Sequence, residues 1–188
     1  RQMCIRDSCY YHMGDYHSAS RMYEQLTKIC PNVEEYRVYY AQSMYKAGMY
    51  QEAHKLSSLI DSDQHANRIV KLQAAIAYEQ EELPQTKAFL EKCHVDDPEV
   101  VVLQGCVLYK EANYEAALAK FLEATNALGF KPDLTYNIAL CYYRMQQYGP
   151  SLKSIAEIIE KGIEEHPELN IGSNTEGNEA RSVGNTQV

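Results

Sequence analysis

Residues 103–117 read LQGCVLYKEANYEAA, in which Tyr109, Tyr114 and Ala117 each belong to a column that repeats along the chain. The first column, at intervals of 34, 33, 31 and 34 residues, is Tyr11, Tyr45, Tyr78, Tyr109 and Tyr143. The second column, at the same intervals, is Tyr16, Tyr50, Leu83, Tyr114 and Tyr148. The third column contains only small side chains and is Ala19, Ala53, Thr86, Ala117 and Ser151. Three columns in one register predict a stack of helix-turn-helix units.

Unit boundaries follow from the same register and from the prolines at 31, 98, 132 and 167, which start or stop helices. The predicted units are a partial repeat 1 at 9–32, repeat 2 at 33–66, repeat 3 at 67–97, repeat 4 at 98–131 and repeat 5 at 132–165, followed at 166–188 by a loop and the start of a next helix. Small residues in the middle of both helices of a unit predict that the two backbones approach closely, since a larger side chain would force them apart.

Composition points away from several classes of partner. The chain has 188 residues and a net charge of −8, which disfavours nucleic acid and anionic membranes because both need clustered Lys and Arg. No run approaches the length of a membrane-spanning helix, so we expect no membrane insertion and a cytosolic location by default. Sixteen tyrosines against three phenylalanines and no tryptophan suit half-buried positions, where the ring packs and the hydroxyl reaches a polar partner.

Enzymatic, metal and cofactor sites find no support in the motifs. The six cysteines, at 4, 9, 30, 93, 106 and 141, show no close pairing, and we interpret them as small buried hydrophobes. The histidines form no His-Glu-x-x-His pair, and no glycine-rich phosphate loop is present. The acidic string Glu157, Glu160, Glu164 and Glu165 is interpreted as a solvated helix face. We therefore predict no catalytic residues, no metal and no cofactor.

The two ends depart from the repeat pattern. Residues 1–8, RQMCIRDS, do not fit it, since Asp7 falls where the following units have alanine or glycine. We interpret these eight residues as a translated sequencing adapter and not as part of the protein. A segment rich in Gly and Asn follows Pro167 and predicts a loop of about 15 residues. The chain is expected to be an internal fragment of a longer array.

Shorter strings within the repeats match a known repeat class. They are Gly14-Asp15-Tyr16, NYEAA at 113–117 and LCYY at 140–143, and they resemble the tetratricopeptide repeat. Because several copies agree in register, we predict an all-α fold, a tetratricopeptide-repeat superhelical solenoid of about five helix-turn-helix units.

Longer strings resemble one family within this class. QGCVLYKE at 104–111, PDLTYN at 132–137, IAEIIE at 155–160 and RSVGNT at 181–186 are similar to the N-terminal part of tetratricopeptide repeat protein 30, the fleer family. The resemblance covers residues 9 to 188 almost continuously, with Leu83 as a departure where an aromatic residue is usual.

The resemblance implies a function in cilia. It implies membership of intraflagellar transport complex B. Members of the family form a closed superhelix that grips another core subunit through an extended proline-rich segment. They are required for polyglutamylation of axonemal tubulin. The implied partners are other complex B subunits and, indirectly, a kinesin motor. The implied locations are the cilium and the cytoplasm.

The candidate site is a groove formed by the ends of the first helices. Its predicted peptide-binding residues are Tyr11, Tyr45, Tyr78, Tyr109 and Tyr143, with the cations Lys46, Lys110 and Arg144 beside them. Flat rings accept proline faces and phenol hydroxyls donate to peptide carbonyls, which suits an extended segment. The alternative is that these tyrosines only pack within the repeats.

Two other functions stay open at this point. A generic adaptor or co-chaperone would bind acidic C-terminal tails through a clamp of cations, for which Lys46, Arg68, Lys71 and Lys110 are available. The interleaved acids Glu35, Glu99 and Asp133 disfavour such a clamp. An enzyme regulated by its repeats would require a catalytic domain beyond these ends.

Overall fold

The computed structural model describes residues 10–170, and all regular structure in that range is helical. Residues 10–12 are helical and lead into the first turn. The helices that follow are α1 (Tyr16–Ile29), α2 (Glu34–Lys46), α3 (Tyr50–Ser58), α4 (Ala66–Glu79), α5 (Leu83–Leu90), α6 (Pro98–Lys110), α7 (Tyr114–Leu128), α8 (Pro132–Arg144) and α9 (Tyr148–Glu165). Short 3-10 helices span Asp63–His65 and Pro167–Asn170. The adapter interpretation of residues 1–8 and the predicted loop beyond Asn170 lie outside the described residues.

The chain divides into two compact units, Arg1–Glu111 and Ala112–Val188, and each is described by itself. In the first unit, α1 packs on α2, α2 on α3, α3 on α4, α4 on α5 and α5 on α6. In the second unit, α8 packs on both α7 and α9. Within each of these two compact units, consecutive helices therefore pack against each other, as the repeat pattern predicts.

Small side chains sit where these helices come closest. Ala19, Ala53, Thr86 and Ala117 have no exposed surface, and Ser151 is 9% exposed. In the fifth repeat the Ser151 hydroxyl donates to the backbone carbonyl of Ala139 at 2.9 Å, a bond between α9 and α8 that only a close approach permits. Burial of all five residues and the Ser151 bond in the fifth repeat agree with the predicted close approach of the two helices.

Within each repeat, the two helices are joined by a turn that contains one residue in the left-handed backbone conformation. A residue with positive φ follows the first helix in every turn, and it is Gly14 (φ 78°), Gly48 (78°), Glu81 (63°), Ala112 (61°) and Gln146 (61°). This left-handed conformation favours glycine, so three of the five turns hold it at a cost. The next helix then begins within four residues, and at Asp15 and Asn113 a side chain caps its first N–H groups.

Candidate peptide-binding groove

Three adjoining cavities in the first unit form a groove along α2, α4 and α6. The aromatic cavity, of about 580 Å³, is lined by Tyr11, Tyr23, Tyr36 and Tyr39 together with Glu35. The central cavity, of about 520 Å³, shares Tyr11 and Gln42 with the aromatic cavity. The apolar cavity, of about 370 Å³, is lined by Leu90, Val100, Val102, Leu103 and Cys106, and it shares Tyr45, Lys46, Lys71, Ala75 and Glu99 with the central one. The groove thus changes from aromatic to cationic to apolar along its length.

Helical periodicity explains why these side chains share a face. Glu35, Tyr39, Gln42 and Lys46 recur at intervals of three and four on α2, as Arg68, Lys71 or Leu72, and Ala75 do on α4. Residues at these spacings lie on one side of an α-helix. Since the repeats follow one another at a nearly constant interval, the first helices present equivalent positions to the same groove.

Tyr11 and Tyr45 line the groove and also pack inside their own repeats. The ring centres of Tyr11 and Tyr16 are 5.3 Å apart, and those of Tyr45 and Tyr50 are 5.8 Å apart. Burial raises the pKa of Tyr45 to about 12, and the nearby carboxylate of Glu79 adds to the shift. In the first two repeats the two column tyrosines therefore pack across the turn, while the first of them also lines the groove.

Tyr78 is covered by a cation from the following repeat. Lys110 Nζ lies 4.2 Å from the centre of the Tyr78 ring, donates to the Tyr78 carbonyl at 3.3 Å and lies 3.9 Å from Glu81 Oε1. Burial raises the pKa of Tyr78 to about 12, with Cys106 and Glu79 as further causes. Tyr78 and Lys110 thus contact each other, and neither lines the three cavities.

The remaining predicted site residues lie elsewhere. Tyr109 is half-buried in the first unit. Tyr143 and Arg144 belong to the second unit, where the Tyr143 side chain is 57% exposed and its ring lies 5.7 Å from that of Tyr148. Of the predicted set, the structure brings Tyr11, Tyr45 and Lys46 together in one groove. The five-tyrosine site as a whole stays a prediction.

Two of the groove cations on α4 lie close to acids from other parts of the first unit, Glu35 on α2 and Asp97 and Glu99 at the start of α6. Lys71 Nζ lies 2.9 Å from Asp97 Oδ2 and 2.6 Å from Glu99 Oε2. Arg68 donates to Gln42 Oε1 at 3.1 Å, lies 3.9 Å from Glu35 Oε1 and stacks 4.9 Å above the Tyr39 ring. These pairs neutralise the cations that a carboxylate clamp would use, and the structure therefore disfavours binding of acidic tails by such a clamp.

A further column of residues, which the sequence pattern does not reveal, also lines the groove. Gln42, Ala75 and Cys106 each precede a column tyrosine by three residues, one helical turn earlier on the same face. Ala75 is half-buried, and burial raises the pKa of the Cys106 thiol to about 11, so this thiol stays protonated. The constant offset of three residues from the column tyrosines could have identified these positions. They differ in residue type, however, so the sequence shows no repeated residue there.

Other kinds of site were sought in residues 10–170. No group of three or more His, Cys, Asp or Glu side chains in that range could hold a metal ion. None of the described helices is long and apolar enough to cross a bilayer. The second unit contains a cavity of about 580 Å³, lined among others by Leu122, Ile138 and Pro150, and none of the predicted site residues lines it.

Comparisons with known proteins agree on a family. Residues 5–181 match the family model described as Intraflagellar transport protein 56. The chain is 53% identical over 180 residues to Intraflagellar transport protein 70A of Xenopus tropicalis and 46% identical over 190 residues to Intraflagellar transport protein 70A1 of Mus musculus. Each alignment covers 96% of this chain, but only 28% and 29% of those relatives. The chain thus spans less than a third of the relatives that it matches.

Solved structures of similar fold are tetratricopeptide-repeat proteins. The chain matches TTC0263, a thermophilic protein of this class in Thermus thermophilus, with a TM-score of 0.72 and 18% identity over 97% of both chains. It also matches a chain of the APC/C hetero-tetramer Cut9-Hcn1, with a TM-score of 0.69 and 13% identity over 80% of this chain and 31% of that one. At these identities the likeness concerns the fold alone. The predicted all-α tetratricopeptide-repeat fold is confirmed.

Proposed function

The chain belongs to the family of intraflagellar transport proteins described by the Intraflagellar transport protein 56 model, and from this membership we propose that it forms part of a non-enzymatic scaffold of intraflagellar transport complex B. The predicted resemblance to the tetratricopeptide repeat protein 30 family is confirmed, because curated relatives 45–53% identical to the chain are named Intraflagellar transport protein 70. The scaffold binds other complex B subunits through its repeats. It supports anterograde ciliary transport and cilium assembly, and its location is the cilium and the cytoplasm.

The groove of three adjoining cavities supports the peptide-binding part of the proposal. Tetratricopeptide repeats act by binding peptides or neighbouring proteins, and the three cavities share lining residues and present aromatic rings, charged groups and aliphatic side chains. An extended, proline-rich segment of a partner subunit suits it, since proline rings pack on tyrosine faces. Tyr11 and Tyr45 are the rings best placed for that contact.

Two further roles follow from the same proposal, both indirect. A scaffold without catalytic residues supports tubulin polyglutamylation by carrying the modifying enzyme or its substrate along the axoneme. Coupling to a kinesin motor likewise runs through the other complex B subunits.

Binding in the groove can be tested by filling it. Ala75 lines both the central and the apolar cavity, so Ala75→Phe places a ring where the peptide backbone would lie. The matched control is Ala88→Phe on α5, an exposed alanine that lines none of the three cavities. Titration with labelled proline-rich peptides from complex B subunits should show at least tenfold weaker binding to Ala75→Phe than to the control. Equal affinities for two variants with unchanged far-ultraviolet dichroism would count against the groove.

The cellular role needs a separate experiment. A full-length relative carrying the groove-filling change at the position of Ala75 is expressed in ciliated cells that lack their own copy. We expect the groove-filled protein to recover no complex B subunits in a pull-down and to leave the cilia short. The protein changed at the position of Ala88 should recover these subunits and restore normal cilium length. Recovery of chaperones by the unmodified protein, without complex B subunits, would instead favour a co-chaperone adaptor.

A further inference from the structure

The charges of the groove are paired except at one position. Arg68 has Glu35 as its acidic neighbour, and Lys71 has Asp97 and Glu99. Lys46, at the end of α2, is exposed, and no carboxylate of residues 10–170 lies within ion-pair distance of it. Its Nζ lies 5.8 Å from the centre of the Tyr45 ring, which lines the same two cavities.

Lys46 also occupies a particular place in the groove. It lines both the central and the apolar cavity and therefore stands where the two cavities join. Tyr45, Ala75, Lys71 and Glu99 line both cavities too, but Lys71 and Glu99 pair with each other, which leaves Lys46 as the cation without an acidic partner among the described residues at this junction. The lining of the central cavity holds three cations and one acid, in a chain whose net charge is −8. The apolar cavity beyond Lys46 presents Leu103, Val102 and Cys106.

We propose that Lys46 is a specificity-determining residue that binds one acidic side chain of an extended partner segment, next to an apolar side chain seated in the cavity lined by Leu103 and Cys106. This inference rests on the proposed function and adds a charge and a register to it. A segment with a single Asp or Glu fits because a further carboxylate would have to displace Glu35 from Arg68 or Glu99 from Lys71. Polyacidic tails are therefore disfavoured, and a segment with no acid binds more weakly than one with a single acid.

The short separation between Lys46 and the apolar cavity predicts a sequence pattern for the bound peptide. Lys46 and the lining of the apolar cavity are adjacent, so the acidic and the apolar residue of the segment must be close in its sequence. On the other side of Lys46, the central and aromatic cavities accept uncharged or proline residues against Tyr11 and Tyr39. The expected ligand thus has an apolar residue, then an acid, then an uncharged stretch, in one of the two chain directions.

A displayed library of proline-containing peptides is selected for binding to the full 188-residue chain. The affinity of each selected peptide, and of its Asp→Asn or Glu→Gln form, is then measured by fluorescence anisotropy. Lys46→Met removes the charge, and Lys55→Met, an exposed lysine on α3 that lines none of the three cavities, is the control. We expect the acidic form to bind about fivefold tighter than its amide form to the unmodified chain and to Lys55→Met, and equally to Lys46→Met.

Each outcome separates this inference from the proposed function. Selected peptides that bind in the groove, lose affinity on Ala75→Phe and show no preference for an acid would overturn the role of Lys46 and leave the groove intact. The same conclusion follows if Lys46→Met retains the preference. If no peptide binds, the proposed groove function fails and the inference fails with it. A salt-dependent preference that disappears only in Lys46→Met supports the inference.

Discussion

Lys71 Nζ lies 2.9 Å from Asp97 Oδ2, and this ion pair joins α4 to the residue that caps α6. Burial by itself would raise the pKa of Asp97, but hydrogen bonds from Lys71 and from the Glu99 N–H outweigh it and lower that pKa. For Lys71, burial would lower the pKa, and the bonds to Glu99 and Asp97 raise it. The pair therefore fixes two first helices of the groove side by side.

Removing the charge of Asp97 should lower stability. Asp97→Asn keeps a side chain that caps α6 but loses the ion pair, and we expect the free energy of unfolding at neutral pH to fall by about 1 kcal/mol. Lys28→Met is the control, since its pair with Glu24 is solvent-exposed and should contribute almost nothing. Urea titrations measure both. Similar losses in the two variants would show that burial of the Lys71 pair has no effect.

The same pair predicts a pH dependence. The pKa of Asp97 is lower in the folded chain than in the unfolded one, so its stabilisation is present above the unfolded pKa of about 4 and is lost as the pH falls through the folded pKa. The stability difference between the unmodified chain and Asp97→Asn should therefore be constant near neutrality and shrink below about pH 4. Urea midpoints measured across this range check the prediction, and a difference that does not shrink with acid would contradict it.

Glycine at the strained turns should stabilise the chain. Gln146 has a φ of 61°, a conformation that costs a residue with a Cβ about 1 kcal/mol more than glycine. Gln146→Gly should raise the free energy of unfolding by up to that amount, whereas Gly48→Ala, at a φ of 78°, should lower it by a similar amount. The test is a shift of the urea midpoint at constant slope, and destabilisation by Gln146→Gly would refute the interpretation.

Overpacking the small-residue column should separate two helices. Ala53 is fully buried in a cluster with Val38, Leu72 and Ile76, so Ala53→Leu should cost about 1–3 kcal/mol. Ala88→Leu adds the same atoms to an exposed helical position and should change stability by less than about 0.5 kcal/mol. Thermal melts followed by circular dichroism compare the two. A neutral Ala53→Leu would mean that the helices are not in close contact there.

Alkaline titration should reveal the buried tyrosines. Tyr45 has a pKa of about 12 in the folded chain and about 10 in the unfolded one, so the unfolded chain ionises first and stability is lost as the pH rises above 10. Tyr45→Phe should remove a phenol that titrates near pH 12 in the phenolate absorbance. Tyr136→Phe, at an exposed position, should not remove that late step. Loss of a phenol that titrates near about 10 in Tyr45→Phe would contradict the burial.

Local rules explain how much of the fold could be predicted. The spacing of Tyr45, Tyr50 and Ala53 follows from the length of a helix and a tight turn, which are properties of nearby residues. The groove was predicted only in part, because the further column that lines it, Gln42, Ala75 and Cys106, shares a position but not a residue type. No periodicity of composition marks such a column, since groove positions are free to differ from repeat to repeat.

By itself, the amino-acid sequence determined the repeat period, the helical pairs, the small residues between them and the family. Tertiary structure alone decided which tyrosines face the groove and which cations are free. Lys110 covers Tyr78 from 32 residues away, Arg68 bonds to Gln42 26 residues away, and Lys71 bonds to Glu99 28 residues away, whereas Lys46 has no acidic partner among residues 10–170. The physical reason is that charge pairing between repeats depends on the packing of side chains on different helices, and a few ångströms decide which pairs form.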